Sequence, residues 1–254
     1  PKKRNLKIMT IKLKPKQAII ALDVDSLKEA EGFIDEIDKD LFRIKVGKQL
    51  FSSKGPRVVE ELIAQGFDVF LDLKLHDIPN TVAKSLENIS NLGVWMTNIH
   101  LLGGKEMIEE ATSIVKKANN NMVLVGVTIL TSLNNNNLSE LGFDSGPEEL
   151  VLKLAKLGKE NGIDGVVCSI RDISGIKASF GNDFLTVTPG VRMLQESNDQ
   201  KRSGSIYEAI QFGTDYVVLG REVTKSENPK EVLKKIESLI AVSYTHLRAH
   251  ETCE

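Results

Sequence analysis

The sequence predicts an α/β fold, a (β/α)8 TIM barrel built as a single domain. Three observations carry this. From residue 17 onward, eight short β-rich apolar runs alternate with eight amphipathic segments. Glycine closes the helical pattern at Gln65-Gly66, Leu92-Gly93, Asn161-Gly162 and Phe212-Gly213, where a helix end favours a residue free to take positive φ. No linker or composition break divides the 254 residues, a length that suits one barrel or two smaller domains. An open doubly wound sheet is the structural alternative, but no G-x-G-x-x-G follows the first strand.

The expected units follow in order, strand then helix: 18–22 and 27–37, 42–46 and 56–65, 69–73 and 78–92, 95–99 and 104–118, 123–128 and 148–161, 165–168 and 173–180, 185–187 and 205–212, 216–219 and 229–240. Runs such as Ala18-Ile19-Ile20-Ala21-Leu22 are apolar throughout, as strands covered on both faces require. Each helical segment sets an apolar stripe at i, i+3 and i+4 against charged positions. Phe70 and Trp95 read as core, and the asparagine run at 134–137 as a surface loop.

The ends stand apart. Residues 1–16 read as a leader with a basic start, Met9 as a plausible true start, and no apolar core of a secretory signal. The barrel is expected over 17–241. The stretch 242–254 has no periodicity and resembles translated read-through of a sequencing adapter, so the His246/His250 spacing is discounted as a metal pair.

Composition excludes several classes. A net charge of −2, from 33 basic and 35 acidic residues, leaves no electrostatic footprint for nucleic acid or an anionic membrane. No apolar run approaches the roughly 20 residues that span a bilayer. Cys168 and Cys253 form neither a disulfide framework nor a metal-ligand spacing, so a reducing cytoplasm is the expected compartment.

In a barrel of this kind the active site lies where strands end and βα loops begin. Asp23 follows strand one on the side of Ala21. Lys45 faces away from Ile44 and Val46. Asp72 and Lys74, two apart on strand three, share a face, and Asp77 lies just past that strand's end. A structural ion pair with Asp77 as a helix N-cap is the bland alternative. Four charges facing inward on adjacent strands favour an active site, because burial costs several kcal/mol per ion on the order of the Born penalties.

Two ammonium groups beside two carboxylates would compete with a divalent metal, so metal-free chemistry is expected. A lysine flanked by aspartates stays an ammonium. It then suits proton donation and stabilisation of developing negative charge better than Schiff-base chemistry. The set therefore predicts a carbanion-like intermediate protonated by Lys74. The loops after strands seven and eight offer Gly190 with Arg192 and Gly220 with Arg221, residue types that bind phosphate but also serve ordinary turns and solvated surfaces. His76 reads as packing or capping, and His100 is left without a role.

The segments Ala21-Leu22-Asp23, Lys45-Val46-Gly47, Asp72-Leu73-Lys74-Leu75-His76-Asp77-Ile78-Pro79-Asn80-Thr81, Leu130-Thr131-Ser132, Thr188-Pro189-Gly190-Val191-Arg192 and Leu219-Gly220-Arg221 together resemble the bacterial-type orotidine 5′-phosphate decarboxylase family. The likeness spans residues 17–240. It implies a homodimeric (β/α)8 barrel that converts orotidine 5′-phosphate to UMP and CO2 with no cofactor and no metal. By the same resemblance Lys74 protonates C6, Asp72 lies near the departing carboxylate, and Lys45 and Asp77 complete the charged network. Asp77 and Thr81 would reach the partner's site. Asp23 and Lys45 would hold ribose hydroxyls, Thr131 would lie near the pyrimidine, and Arg192, Gln200, Gly220 and Arg221 would grip the phosphate. The loop from Arg192 to Arg202 would close over it. Met193 stands where the family commonly has proline, predicting a less rigid loop backbone, and Leu75 where phenylalanine is frequent. Two other readings stand beside this: a magnesium-dependent sugar-phosphate lyase or aldolase of similar fold, which has an acid where Lys45 stands, and a phosphate-ligand-binding barrel without catalysis.

Overall fold

The computed structural model describes residues 12–24, 32–118, 121–193 and 204–240. The apolar runs form parallel strands: β1 (Ala18–Ala21), β2 (Phe42–Gly47), β3 (Val69–Leu75), β4 (Met96–His100), β5 (Val123–Val127), β6 (Gly165–Val167), β7 (Leu185–Pro189) and β10 (Tyr216–Leu219). They close in the order β1-β10-β7-β6-β5-β4-β3-β2, each paired with the next, so no edge is left open. A separate two-stranded pair, β8 (Val191–Arg192) with β9 (Gly204–Ser205), flanks the segment from 193 to 203.

The α-helices that lie wholly within the described residues are α1 (Lys48–Lys54), α2 (Arg57–Ala64), α3 (Pro79–Asn91), α4 (Gly104–Ala118), α5 (Asn135–Glu140), α6 (Pro147–Glu160), α7 (Ile173–Phe180), α8 (Ile206–Gln211), α9 (Arg221–Thr224) and α10 (Pro229–Ile240). The glycines expected to end helices do so, with φ of 92° at Gly66, 78° at Gly93, 87° at Gly162 and 85° at Gly213. Two expectations change. Of the helix expected at 27–37, residues 32–34 are helical and 35–37 form a turn and bend. The asparagine run is not a loop: Asn134 and Asn137 form a reciprocal capping box that starts α5.

The apolar surface divides in two. Ile19, Ala21, Phe70, Met96, Val125, Val187 and Val218 fill the barrel interior, while Ile20, Ile44, Leu71, Leu86, Ile108, Leu154 and Ile236 join the strands to the helices. The barrel is thus a packed core below its mouth. At the opposite end Arg43 stacks 3.8 Å from the Trp95 ring and pairs with Asp68, so Trp95 is half-buried under a cation and not sealed in the core. Residues 12–16, read from sequence as leader, pack on this end: Leu13 is buried and its N–H donates to the Leu239 carbonyl.

Candidate active site

Strand alternation delivers charges to the C-terminal mouth of the barrel. β2 pairs with β1 so that Lys45 lies beside Ala21, and with β3 so that Lys45 lies beside Phe70 and Gly47 beside Asp72. Inward-facing positions are then apolar in the barrel and charged at its rim. The rim opens into a cavity of about 700 Å³ whose wall includes Asp23, Lys45, Asp72, Lys74, Thr131, Gly190, Arg192, Gly220, Arg221 and Glu222.

Asp72 is the centre of this wall. Its Oδ1 lies 2.6 Å from Lys74 Nζ and its Oδ2 3.2 Å from Lys45 Nζ. Lys45 Nζ also lies 3.3 Å from Asp23 Oδ1. The result is a chain of alternating sign, Asp23–Lys45–Asp72–Lys74. Gly47 makes room for it: a Cβ there would stand 3.1 Å from Lys45 Nζ and 3.4 Å from Asp23 Oδ1. Burial pushes the Asp72 carboxyl up, but the two ammonium charges and the hydrogen bonds from Lys74 and Asn98 outweigh that and hold it below its ordinary value.

Lys74 does not sit in plain strand geometry. Its φ is +51°, the left-handed region, and the pairing of β3 with β4 shifts register between Leu71 and Leu75. For a residue with a Cβ this conformation costs roughly 1–2 kcal/mol. Asn98, fully buried on β4, holds it in place: its Oδ1 accepts the Lys74 N–H at 2.7 Å and its Nδ2 donates to Asp72 Oδ1 at 2.7 Å. One amide therefore orients both the backbone of Lys74 and the carboxylate that Lys74 binds.

His100, two residues on, stacks against His76 with ring centroids 5.3 Å apart. Its Nδ1 is buried without a hydrogen-bond partner among the described residues. Burial, then the neighbouring His76, Lys48 and Lys74, pull its pKa down to about 4, so it is a neutral imidazole at physiological pH.

Asp77 and Thr81 lie elsewhere. Both are exposed at the start of α3, and Asp77 Oδ1 accepts the Ile78 N–H at 2.7 Å. Asp77 is also not the helix cap that the bland alternative predicted; Ile78 holds that position, with no side-chain cap. Thr131, Arg192, Gly220 and Arg221 are brought to the cavity, whereas Gln200 lies outside the described residues. Met193, where a looser backbone was expected, donates its N–H to both carboxylate oxygens of Glu222, at 2.9 and 2.8 Å.

Asn98 and Glu222 were not singled out from sequence. For Asn98 a signal existed: a carboxamide inside an otherwise apolar strand needs partners. For Glu222 there was none, because an acid next to Arg221 reads as ordinary surface.

Fold and site define the class: a TIM-barrel enzyme with an alternating acid–lysine array facing arginine-bearing loops. The model of the orotidine 5′-phosphate decarboxylase / HUMPS family matches residues 16–236. The chain is 46% identical over 225 residues to an orotidine 5′-phosphate decarboxylase of Hydrogenovibrio crunogenus, covering 88% of this chain and 95% of that protein. It is 44% identical over 231 residues to one of Aliivibrio fischeri, covering 90% and 99%. The crystal structure of orotidine 5′-phosphate decarboxylase from Lactobacillus acidophilus superposes with a TM-score of 0.79 at 33% identity, over 90% of this chain and all of that one. The chain belongs to the orotidine 5′-phosphate decarboxylase / HUMPS family, and within it stands with the decarboxylases, which are carboxy-lyases.

Proposed function

We propose that this chain decarboxylates orotidine 5′-phosphate to UMP and CO2, the last step of UMP synthesis, with neither metal nor cofactor. The observation that carries the reading is the pair of lysines on the two oxygens of Asp72, one on each. The places beside the central carboxylate where a cation would sit are taken by ammonium groups. Family membership supports the activity, and the alternating array supports this mechanism for it.

The steps follow from charge. Asp72, held ionised, faces the substrate carboxylate and disfavours the ground state. The bond between C6 and the carboxylate breaks, its electron pair stays on C6, and CO2 departs. The Lys74 ammonium stabilises that pair from a fixed position and then transfers a proton to C6, leaving a neutral amine that solvent reprotonates. Lys45, anchored between Asp23 and Asp72, keeps the array in register, and Asp23 and Lys45 bind ribose hydroxyls. Thr131 borders the pyrimidine. Arg192, Arg221, the Gly220 backbone and Gln200 hold the phosphate, whose remote binding energy helps order the site.

The active unit is proposed to be a homodimer in which Asp77 and Thr81 complete the partner's site. Their exposure at one end of α3, beside an Ile78 that is 66% exposed, supports this. The barrel at 17–241 is the proposed catalytic unit, with 242–254 outside it. The cytoplasm is the proposed compartment; among the described residues no helix is long and apolar enough to cross a membrane. Purified protein given orotidine 5′-phosphate is expected to lose the orotate ultraviolet absorbance equally well with and without EDTA. Activity lost to EDTA and restored by magnesium would instead favour a lyase of similar fold, and binding without turnover a ligand-holding barrel.

A further inference from the structure

Glu222 is out of place on simple electrostatics. It follows Arg221 at the start of α9 and lines the same cavity as Arg192 and Arg221. An acid on the wall of a phosphate site repels the ligand, so its place there asks for a role that offsets the repulsion. What it does is visible at the far side of the β7–β8 turn. Both of its oxygens accept the Met193 N–H, at 2.9 and 2.8 Å. Arg192, the residue before, is paired with Ser205 in the β8–β9 ladder. The chain at Arg192 is therefore tied on one side to β9 and, through the next peptide, to the residue after Arg221.

We propose that Glu222 is a positioning residue: its carboxylate binds the Met193 N–H, joining the loop end that carries Arg192 to the helix start that carries Arg221 and fixing the spacing of the two phosphate-binding arginines. This deepens the phosphate assignment made above and rests on it. A charge-assisted hydrogen bond from a backbone N–H is roughly twice as strong as a neutral one and constrains direction as well as distance. It also uses a donor that proline at this position would lack. The Met193 chain therefore gains a tether, in place of the looser loop that the residue change by itself predicts.

The sign of one measurement separates the tether from bare repulsion. In Glu222→Ala the KM for orotidine 5′-phosphate is expected to rise about tenfold or more, as loss of a charge-assisted bond to a binding element implies. Turnover of orotidine, the same nucleoside without its phosphate, is expected to stay within about twofold, since it does not use the arginine pair. Glu222→Gln keeps one neutral acceptor for the Met193 N–H, a weaker form of the same bond, so its KM is expected to lie between the wild-type value and that of Glu222→Ala. In a Met193→Pro background the tether has no donor, and Glu222→Ala is expected to change KM by less than about twofold. A KM that falls in both Glu222→Ala and Glu222→Gln would show repulsion alone and overturn the proposal. So would an equal loss of activity on orotidine and its phosphate, which would mark a general structural defect. Wild-type protein that neither turns over orotidine 5′-phosphate nor binds UMP would remove the underlying reading and this inference with it.

Discussion

Asn98→Ala tests how Lys74, the proposed proton donor, is held. The amide is fully buried and spans two groups, accepting from the Lys74 N–H and donating to Asp72 Oδ1, both at 2.7 Å. Removing it deletes a hydrogen bond to a charged group, about 1.5–3 kcal/mol, and strands a buried N–H, about 1–3 kcal/mol. Lys74 can recover roughly 1–2 kcal/mol by leaving its left-handed conformation. The net expected loss of stability is about 2–4 kcal/mol, which for a barrel of this size lowers Tm by on the order of 5–15 °C. Once Lys74 relaxes, its Nζ leaves the line to Asp72, and a displacement of about 1 Å is enough to cost on the order of 100-fold in kcat. Asn98→Asp sharpens the test. It keeps the acceptor for Lys74, but the new carboxylate, if ionised, would repel Asp72. The pKa of the introduced carboxyl is then driven up, and its protonated form can still donate to Asp72. Turnover by this variant is therefore expected to fall as pH rises through that raised value. The assays are urea unfolding and steady-state kinetics across pH. An Asn98→Ala enzyme with kcat within about threefold of wild type would refute the idea that this amide places Lys74.

Lys74→Ala is expected to lose about 10⁴-fold or more in kcat, because proton donor and charge stabiliser vanish together, while UMP affinity by calorimetry changes only a few-fold; near-normal turnover would remove Lys74 from the mechanism. Arg221→Ala is expected to raise KM for the phosphorylated substrate about 10- to 100-fold, the value of a charge-assisted contact, and an unchanged KM would count against the phosphate assignment. Mixing inactive Lys74→Ala and Asp77→Ala proteins after denaturation and refolding is expected to restore part of the activity, because a mixed dimer that shares residues across its interface regains one intact site; no recovery would argue for self-contained protomers. His100 has a folded pKa of about 4, depressed from its ordinary 6.5, so the unfolded chain binds the extra proton first. Its contribution is full above about pH 6.5 and is lost as pH falls toward 4, a change of about 1–2 kcal/mol once partial solvent exposure is discounted. His100→Phe should flatten the urea midpoint across that window, and an unchanged slope would show that His100 does not titrate there.

What the sequence made legible follows from what sequence can encode. Strands such as Ala18–Ala21 and Tyr216–Leu219 announce themselves because a parallel strand buried on both faces must be apolar throughout. The facing of Lys45 and Asp72 is likewise a matter of counting by twos. Helices α1, α5 and α9 span seven, six and four residues, few turns for a 3.6-residue period to register, and none of them ends in one of the glycine stops read from the sequence, whereas the six-residue α8 does, at Gly213. The left-handed φ of Lys74 has no local marker, since nothing about a lysine asks for it. It exists because an amide on the neighbouring strand accepts that N–H, a contact 24 residues away. Asp77 is a different case: the D-x-K-x-x-D spacing drew it out of the sequence, but within one chain it is an exposed acid on the Ile78 N–H, and the role proposed for it requires a second copy.

The four-charge chain at the rim is hard to account for by stability. Lys45 and Asp72 are each 8% exposed, and removing such ions from water costs several kcal/mol apiece on the order of the penalties for buried pairs. Their mutual attraction offsets that cost without leaving a clear surplus, and apolar residues of similar volume would hold the rim as well. Lys74 adds backbone strain and requires Asn98, a second buried polar group, to maintain it. A fold selected for stability alone would have no reason to retain any of these features. They are intelligible together if the array must already be in place, fully oriented, before charge moves in the substrate. Water or flexible side chains would have to reorganise at that moment, whereas ions fixed at the end of a packed barrel do not.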